Sequence, residues 1–262
     1  MVRSVQEMAR YPSSGYRIAL GPGGMSPAIK ALLIANIAMF VLTSFVPDAV
    51  HLDINLWFGL KPEAVLTQGR IWQPLTYLFL HADTMHILFN MLGLWMFGVE
   101  LERMWGTPFF VRYYFVVGIG AGLMIVALSL LPLASTAYSY GVVTIGASGA
   151  IFGLLLAYGL SFPNRPIYLY FLFQIPAKYF VLIVGAVLFF QSVSSQGGGI
   201  SHVAHLGGLV VGYVYLRGRR LSRWSPVAEV KYRYLRWKIG RMRKKFDVVP
   251  GGRSDDWDKR IH

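Results

Sequence analysis

The chain has 262 residues, 55% of them hydrophobic and only 14% charged, with a formal net charge of +13. A soluble domain carries about 25% charged residues, and here the apolar residues run in long blocks rather than short strands, so an ordinary soluble fold is excluded. There is no cysteine, which removes disulfides and cysteine-ligated metals and leaves the redox compartment unread.

A bilayer core needs about 20 apolar residues per helix. Six blocks qualify, at about 28–47, 78–98, 110–131, 147–163, 178–192 and 202–217, the last two short and interrupted by glycine. They predict an all-α, polytopic membrane domain of six transmembrane helices over 28–218, preceded by a lead over 1–27 and followed by a basic tail over 219–262. The lead has no small-residue cleavage site behind a short apolar region, so a cleaved signal peptide is not expected. Its Arg3, Arg10 and Arg17 against one acid, Glu7, give a faint likeness to an organellar presequence.

Six spans put both termini on one side. Of the 25 Lys and Arg, all but Lys61 and Arg70 then fall on that side. Positive residues stay cytoplasmic, so both termini are expected in the cytoplasm. The positive charge is therefore topology and tail, and no nucleic-acid partner is expected.

Residues 48–76 form a long outer loop with Trp57, Phe58 and Trp72 at a membrane–water boundary. Aromatic residues favour that depth, and a loop this long is usually functional or packed on itself. Next comes "HADTMHILFN", where His86 and Asn90 stand at i and i+4 on one helix face. A ring N–H and an amide N–H₂ aimed at one point make an oxyanion hole if a nucleophile stands near; otherwise the pair glues two helices together.

"GASGAIFG", residues 146–153, places Ser148 between glycine and alanine at the start of the fourth block. Small residues let membrane helices approach closely. Alternatively, Ser148 is a nucleophile and the glycines leave room for a substrate backbone. In "SHVAHLGGLVVGYVY", Gly208 and Gly212 follow His205 at i+3 and i+7, which marks the His205 face as a close-packing face. A helix bearing Ser148 could approach there, and His205 could take the hydroxyl proton as general base; the alternative is a histidine hydrogen-bonded between helices. With six spans, Ser148, His205, His86 and Asn90 all lie near the outer side at one depth.

In the tail, residues 226–246 have helical periodicity, with Ala228, Tyr232, Leu235, Ile239, Met242 and Phe246 on one stripe and mostly Lys and Arg elsewhere. Such a basic amphipathic helix suits an anionic cytoplasmic leaflet, or it docks on the protein's own loops.

"GASG" with Ser148, "AHLGGLVVG" with His205 and "HILFN" with His86 and Asn90 resemble the rhomboid intramembrane serine proteases in order and spacing. "ELERMWG" is similar to that family's E-x-x-x-G, carried by Glu102 and Gly106. The resemblance covers about 28–218. Gly146, Gly149, Gly208 and Gly212 match the family's small positions. Two positions depart from it. The Trp-Arg of many members' first loop is Trp72-Gln73 here, which predicts a missing arginine contact. The Tyr under the catalytic His ring of some members is Phe152.

The resemblance implies a Ser148–His205 dyad without a carboxylate. His86, Asn90 and the Ser148 backbone N–H would form the oxyanion hole, and no cofactor or metal is implied. It implies a transmembrane protein substrate, cut near its outer end and entering past the fifth helix. Phe171, Phe173, Phe180, Phe189 and Phe190 there fit a gate or plain lipid contact. Residues 134–143 and 192–200 would lead into the site, the latter as a lid with Gly197, Gly198 and Gly199 supplying its freedom. A transporter would show internal repeats and charged midplane partners, which are absent. Zinc on His81, His86, His202 and His205 lacks the H-E-x-x-H pattern. A catalytically inactive rhomboid-like protein that binds or escorts membrane proteins is the remaining alternative. A bacterial inner membrane fits the charge bias, while substrate identity and oligomeric state are not legible.

Overall fold

The computed structural model describes residues 24–131, 140–169, 173–194, 200–222, 234–239 and 241. The chain divides into two compact units, Met1–Leu216 and Arg217–His262.

Helix α1 (Pro27–Ser44) starts on a proline, whose fixed φ suits a first turn. Its free N–H groups are met from far along the chain. The Glu102 carboxylate accepts from the Ala28 and Ile29 N–H groups at 3.0 and 3.2 Å and from the Ser26 hydroxyl. The expected outer loop is three short helices, α2 (Asp48–Phe58), α3 (Pro62–Gln68) and α4 (Gln73–Thr76), ending in a 3₁₀ turn at Tyr77–Phe79.

Helix α5 (Thr84–Trp105) begins six residues later than the apolar block suggested. Leu80 leaves the turn in extended backbone, and Asp83 caps the new helix by accepting the His86 N–H. Gly106, at φ +79°, lets the chain pass from α5 into α6 (Thr107–Leu128) across one residue, a conformation that costs a side chain strain. The Thr107 hydroxyl donates to Glu102 at 2.7 Å. One carboxylate thus ties the start of α1 to the junction of α5 and α6, and this is the structural content of the Glu102 and Gly106 motif.

Helix α7 (Ser148–Ser161) leads into an antiparallel hairpin, β1 (Pro166–Leu169) and β2 (Phe173–Pro176), paired from Pro166↔Pro176 to Leu169↔Phe173. The hairpin corrects the all-α expectation. Prolines at 163 and 166 stop the helix, and Ile167 and Tyr168 favour strand. Helices α8 (Ala177–Ser194) and α9 (Ile200–Ser222) follow. In the second unit, residues 234–239 are helical; the rest of the expected helix over 226–246, save residue 241, lies outside the described residues.

Helices α1, α5 and α6 are long and apolar enough to cross a membrane, and Ser148–Ser161 and Ala177–Phe190 are shorter apolar helices. The core lies between α5, α6 and α7, where Leu94, Tyr113, Tyr114, Val117, Ala150 and Leu154 are fully buried. Two buried phenols bond to backbone across it: Tyr77 to the Gly118 carbonyl at 2.7 Å and Tyr113 to the Gly153 carbonyl at 2.8 Å. Helices α7 and α9 meet backbone to backbone. A Cβ on Gly208 would overlap the Gly149 carbonyl, and one on Gly212 would lie 2.6 Å from the Tyr113 hydroxyl and 3.3 Å from the Gly153 Cα.

Candidate active site

That glycine seam sets the first feature of the site. It brings the start of α7 against α9, and the Ser148 Oγ lies 2.8 Å from His205 Nε2. If the hydroxyl donates, the His205 ring proton resides on Nδ1, and Nδ1 has no hydrogen-bond partner among the described residues. The ring is fixed instead by stacking on Phe152, with centroids 4.2 Å apart and planes at 26°. Phe152 lies one turn beyond Ser148 on α7, so one helix presents both the hydroxyl and the surface on which the His205 ring rests.

His86 is held differently. Its own backbone N–H donates to the Asp83 carboxylate at 2.8 Å, and its Nδ1 accepts from the Ala82 backbone N–H at 3.3 Å. With Nδ1 an acceptor, the neutral ring carries its proton on Nε2. A Cβ built on Gly146 would lie 2.6 Å from that Nε2 and 3.8 Å from the Ser148 Oγ. The space between imidazole and serine is therefore open because residue 146, at φ +123°, has no side chain. Asn90 donates one amide N–H to the His86 carbonyl at 2.7 Å and lines the same cavity. As the first helical residue of α7, Ser148 has a backbone N–H with no intrahelical acceptor.

The segment before Ser148 is stitched to the 48–76 segment. Leu60 and Thr144 exchange backbone hydrogen bonds at 2.9 and 2.8 Å, and the Gly146 N–H donates to the Tyr77 carbonyl at 2.9 Å. In that loop Gln73 is fully buried; it accepts the Lys61 N–H at 3.0 Å and donates to the Leu56 and Trp57 carbonyls at 3.1 and 3.3 Å. The loop does have an arginine contact, contrary to the expectation drawn from Trp72-Gln73. Arg70 donates to the Leu56 carbonyl at 2.8 Å and lies 4.1 Å from the Trp57 ring centroid, and Trp57 stacks on Trp72 at 6.4 Å.

The cavity has a volume of about 700 Å³ and is lined by Tyr77, by α5, α7, α8 and α9, and by the extended segment Thr144–Gly146. Ser148, His205, His86, Asn90, Gly146 and Phe152 all line it. Its walls also carry Asp83, Gly93, Phe97, Leu155 and Val184, which sequence reading did not single out. The signal for Asp83 was its place as an N-cap before an apolar run. Gly93 and Phe97 follow Asn90 at i+3 and i+7.

His81 is buried and meets the His86 ring edge-on at 5.1 Å, and His202 lies 6.3 Å from His205. Among the described residues no group of three or more His, Cys, Asp or Glu could hold a metal ion. Of the aromatic residues considered for a gate, Phe180 lines the cavity, while Phe189 and Phe190 are exposed on α8. Phe171, residues 134–139 and residues 195–199 of the expected lid lie outside the described residues.

A family model described as Rhomboid domain matches residues 68–220. Rhomboid protease GluP of Bacillus subtilis (strain 168) is 33% identical over 190 residues, which cover 71% of this chain and 34% of the relative. RHOMBOID-like protein 12, mitochondrial, of Arabidopsis thaliana is 24% identical over 215 residues, covering 79% of this chain and 60% of the relative. Rhomboid protein 1, mitochondrial, of Saccharomyces cerevisiae is 29% identical over 191 residues, covering 71% and 51%. The chain spans about a third to three fifths of the length of these relatives.

Proposed function

We propose that this chain, which belongs to the rhomboid family, is an active intramembrane serine endopeptidase that cuts transmembrane segments of other membrane proteins. The observation that carries the reading is the 2.8 Å contact between the Ser148 hydroxyl and His205 Nε2 inside a cavity. His205 takes the hydroxyl proton as Ser148 attacks the scissile carbonyl. The carbonyl oxygen becomes an oxyanion facing His86 Nε2–H, the second Asn90 amide N–H and the Ser148 backbone N–H. His205 then gives its proton to the leaving amine, and water, activated by the same imidazole, releases the acyl group. Phe152 holds the imidazole in place of a third, carboxylate partner.

The finer points of the reading follow the same logic. Six spans put both termini on one side, the Lys and Arg distribution makes that side the cytoplasm, and a bacterial inner membrane fits the same charge bias. The helical tail segment exposes Tyr234, Leu235, Trp237 and Ile239 beside Arg236, Lys238 and Arg241. That composition suits an anionic leaflet.

The test is cleavage of a model transmembrane substrate by the full chain in proteoliposomes. Wild type cuts it, and Ser148→Ala and His205→Ala do not. An inert wild type in several lipid mixtures, with the substrate retained in a stable complex, would favour the inactive, binding rhomboid-like protein instead.

A further inference from the structure

Most of the catalytic cavity wall is apolar, and its polarity is uneven. Along α5 it runs from Asp83 past His86 and Asn90 to Gly93 and Phe97. From His86 to Phe97 this is roughly 16 Å of helix. Beyond the polar groups the walls include Phe97, Leu155, Phe180 and Val184. Among the lining residues Asp83 alone carries a formal charge when histidine is neutral. It is exposed, and one oxygen accepts the His86 N–H at 2.8 Å. Among the described residues no cation pairs with it.

We infer that Asp83 is a specificity-determining residue: its carboxylate at the rim of the catalytic cavity selects substrates that carry Lys or Arg beside the scissile bond. The inference rests on the protease reading above. A substrate chain lying across Ser148 must pass the start of α5, because the same residues that frame the oxyanion space follow Asp83 by three and seven positions. A cationic side chain there meets an unpaired carboxylate. An acidic one meets repulsion from Asp83 and from the nearby oxyanion as it forms, so discrimination has both an attractive and a repulsive part. The filter is narrow, because the outer flanks of membrane spans are poor in Lys and Arg. The apolar part of the cavity takes the membrane-embedded remainder, whatever its sequence.

Capping is the other duty of Asp83, and the two separate cleanly. Asn caps a helix about as well as Asp, so Asp83→Asn keeps the hydrogen bond to the His86 N–H and removes the charge. The experiment uses the full chain in proteoliposomes with a model transmembrane substrate. Lys, Gln or Glu is walked one position at a time across the scissile bond, and kcat/KM is measured for each. In wild type, Lys exceeds Gln by about fivefold at one or more positions, the scale of a partly exposed ion pair. In Asp83→Asn the ratio falls to about one, and in Asp83→Lys the preference turns toward Glu. Should a variant fail to fold, a salt titration of wild type reads the same point, since the Lys preference shrinks as ionic strength rises. A Lys-to-Gln ratio of one in wild type, or one unchanged in Asp83→Asn, with cleavage still dependent on Ser148, overturns the inference and leaves the protease reading standing. A wild type that cuts no member of the series overturns both.

Discussion

The proposed chemistry divides between two histidines in different hydrogen-bonding surroundings. His205 Nε2 lies 2.8 Å from the Ser148 Oγ, and its Nδ1 has no partner among the described residues; His86 Nδ1 accepts the Ala82 N–H, which leaves Nε2–H to donate. In the proposed mechanism the first accepts a proton and the second donates a hydrogen bond. His86→Ala or Asn90→Ala should therefore lower kcat on the order of 100-fold with little change in KM, and His205→Ala should lower it to background. Steady-state cleavage kinetics check this; a His86→Ala enzyme with wild-type kcat would remove it from the oxyanion hole. These residues were legible in sequence because each sits at a helical spacing that leaves a polar group on a small-residue or polar face. Asp83 was not, since a capping aspartate looks like any helix start. Nor was the Arg70 contact, since its partners, Leu56 and Trp57, are joined to it only by the fold of the loop.

Among the elements, the site depends on α7 and α9 meeting through Gly149, Gly153, Gly208 and Gly212, and on α1 being tied to α5 by Glu102. The Glu102 carboxylate serves two hydroxyls and two backbone N–H groups. Removing it strands buried donors, so Glu102→Ala should destabilise the domain by ~3 kcal/mol, with Glu102→Gln recovering part. Reversible unfolding in mixed micelles measures it, and an unchanged transition would show that α1 is anchored elsewhere. The helices were visible as apolar blocks, yet the start of α5 and the β1–β2 hairpin were not. Apolar residues in a 3₁₀ turn or a strand carry the same hydropathy as those in a helix, and only the Leu80 backbone, Asp83 and the prolines separate them.

For the whole molecule, the proposed six-span topology has a direct check, because the chain contains no cysteine. Single cysteines at Thr67 in the outer loop and Ser254 in the tail should react with a membrane-impermeant maleimide from opposite sides. In intact cells Thr67→Cys should label and Ser254→Cys should not, until the membrane is opened. Labelling of both from outside would break the proposed topology, which puts the candidate site near the outer surface.

If Ser148 is an activated nucleophile, a fluorophosphonate will label it covalently. Full-length wild type, Ser148→Ala and His205→Ala are treated side by side in detergent. Labelling of wild type with both variants dark is the predicted result. Equal labelling of wild type and Ser148→Ala, or a dark wild type that also leaves a model substrate uncut, would contradict it and return Ser148 to helix packing.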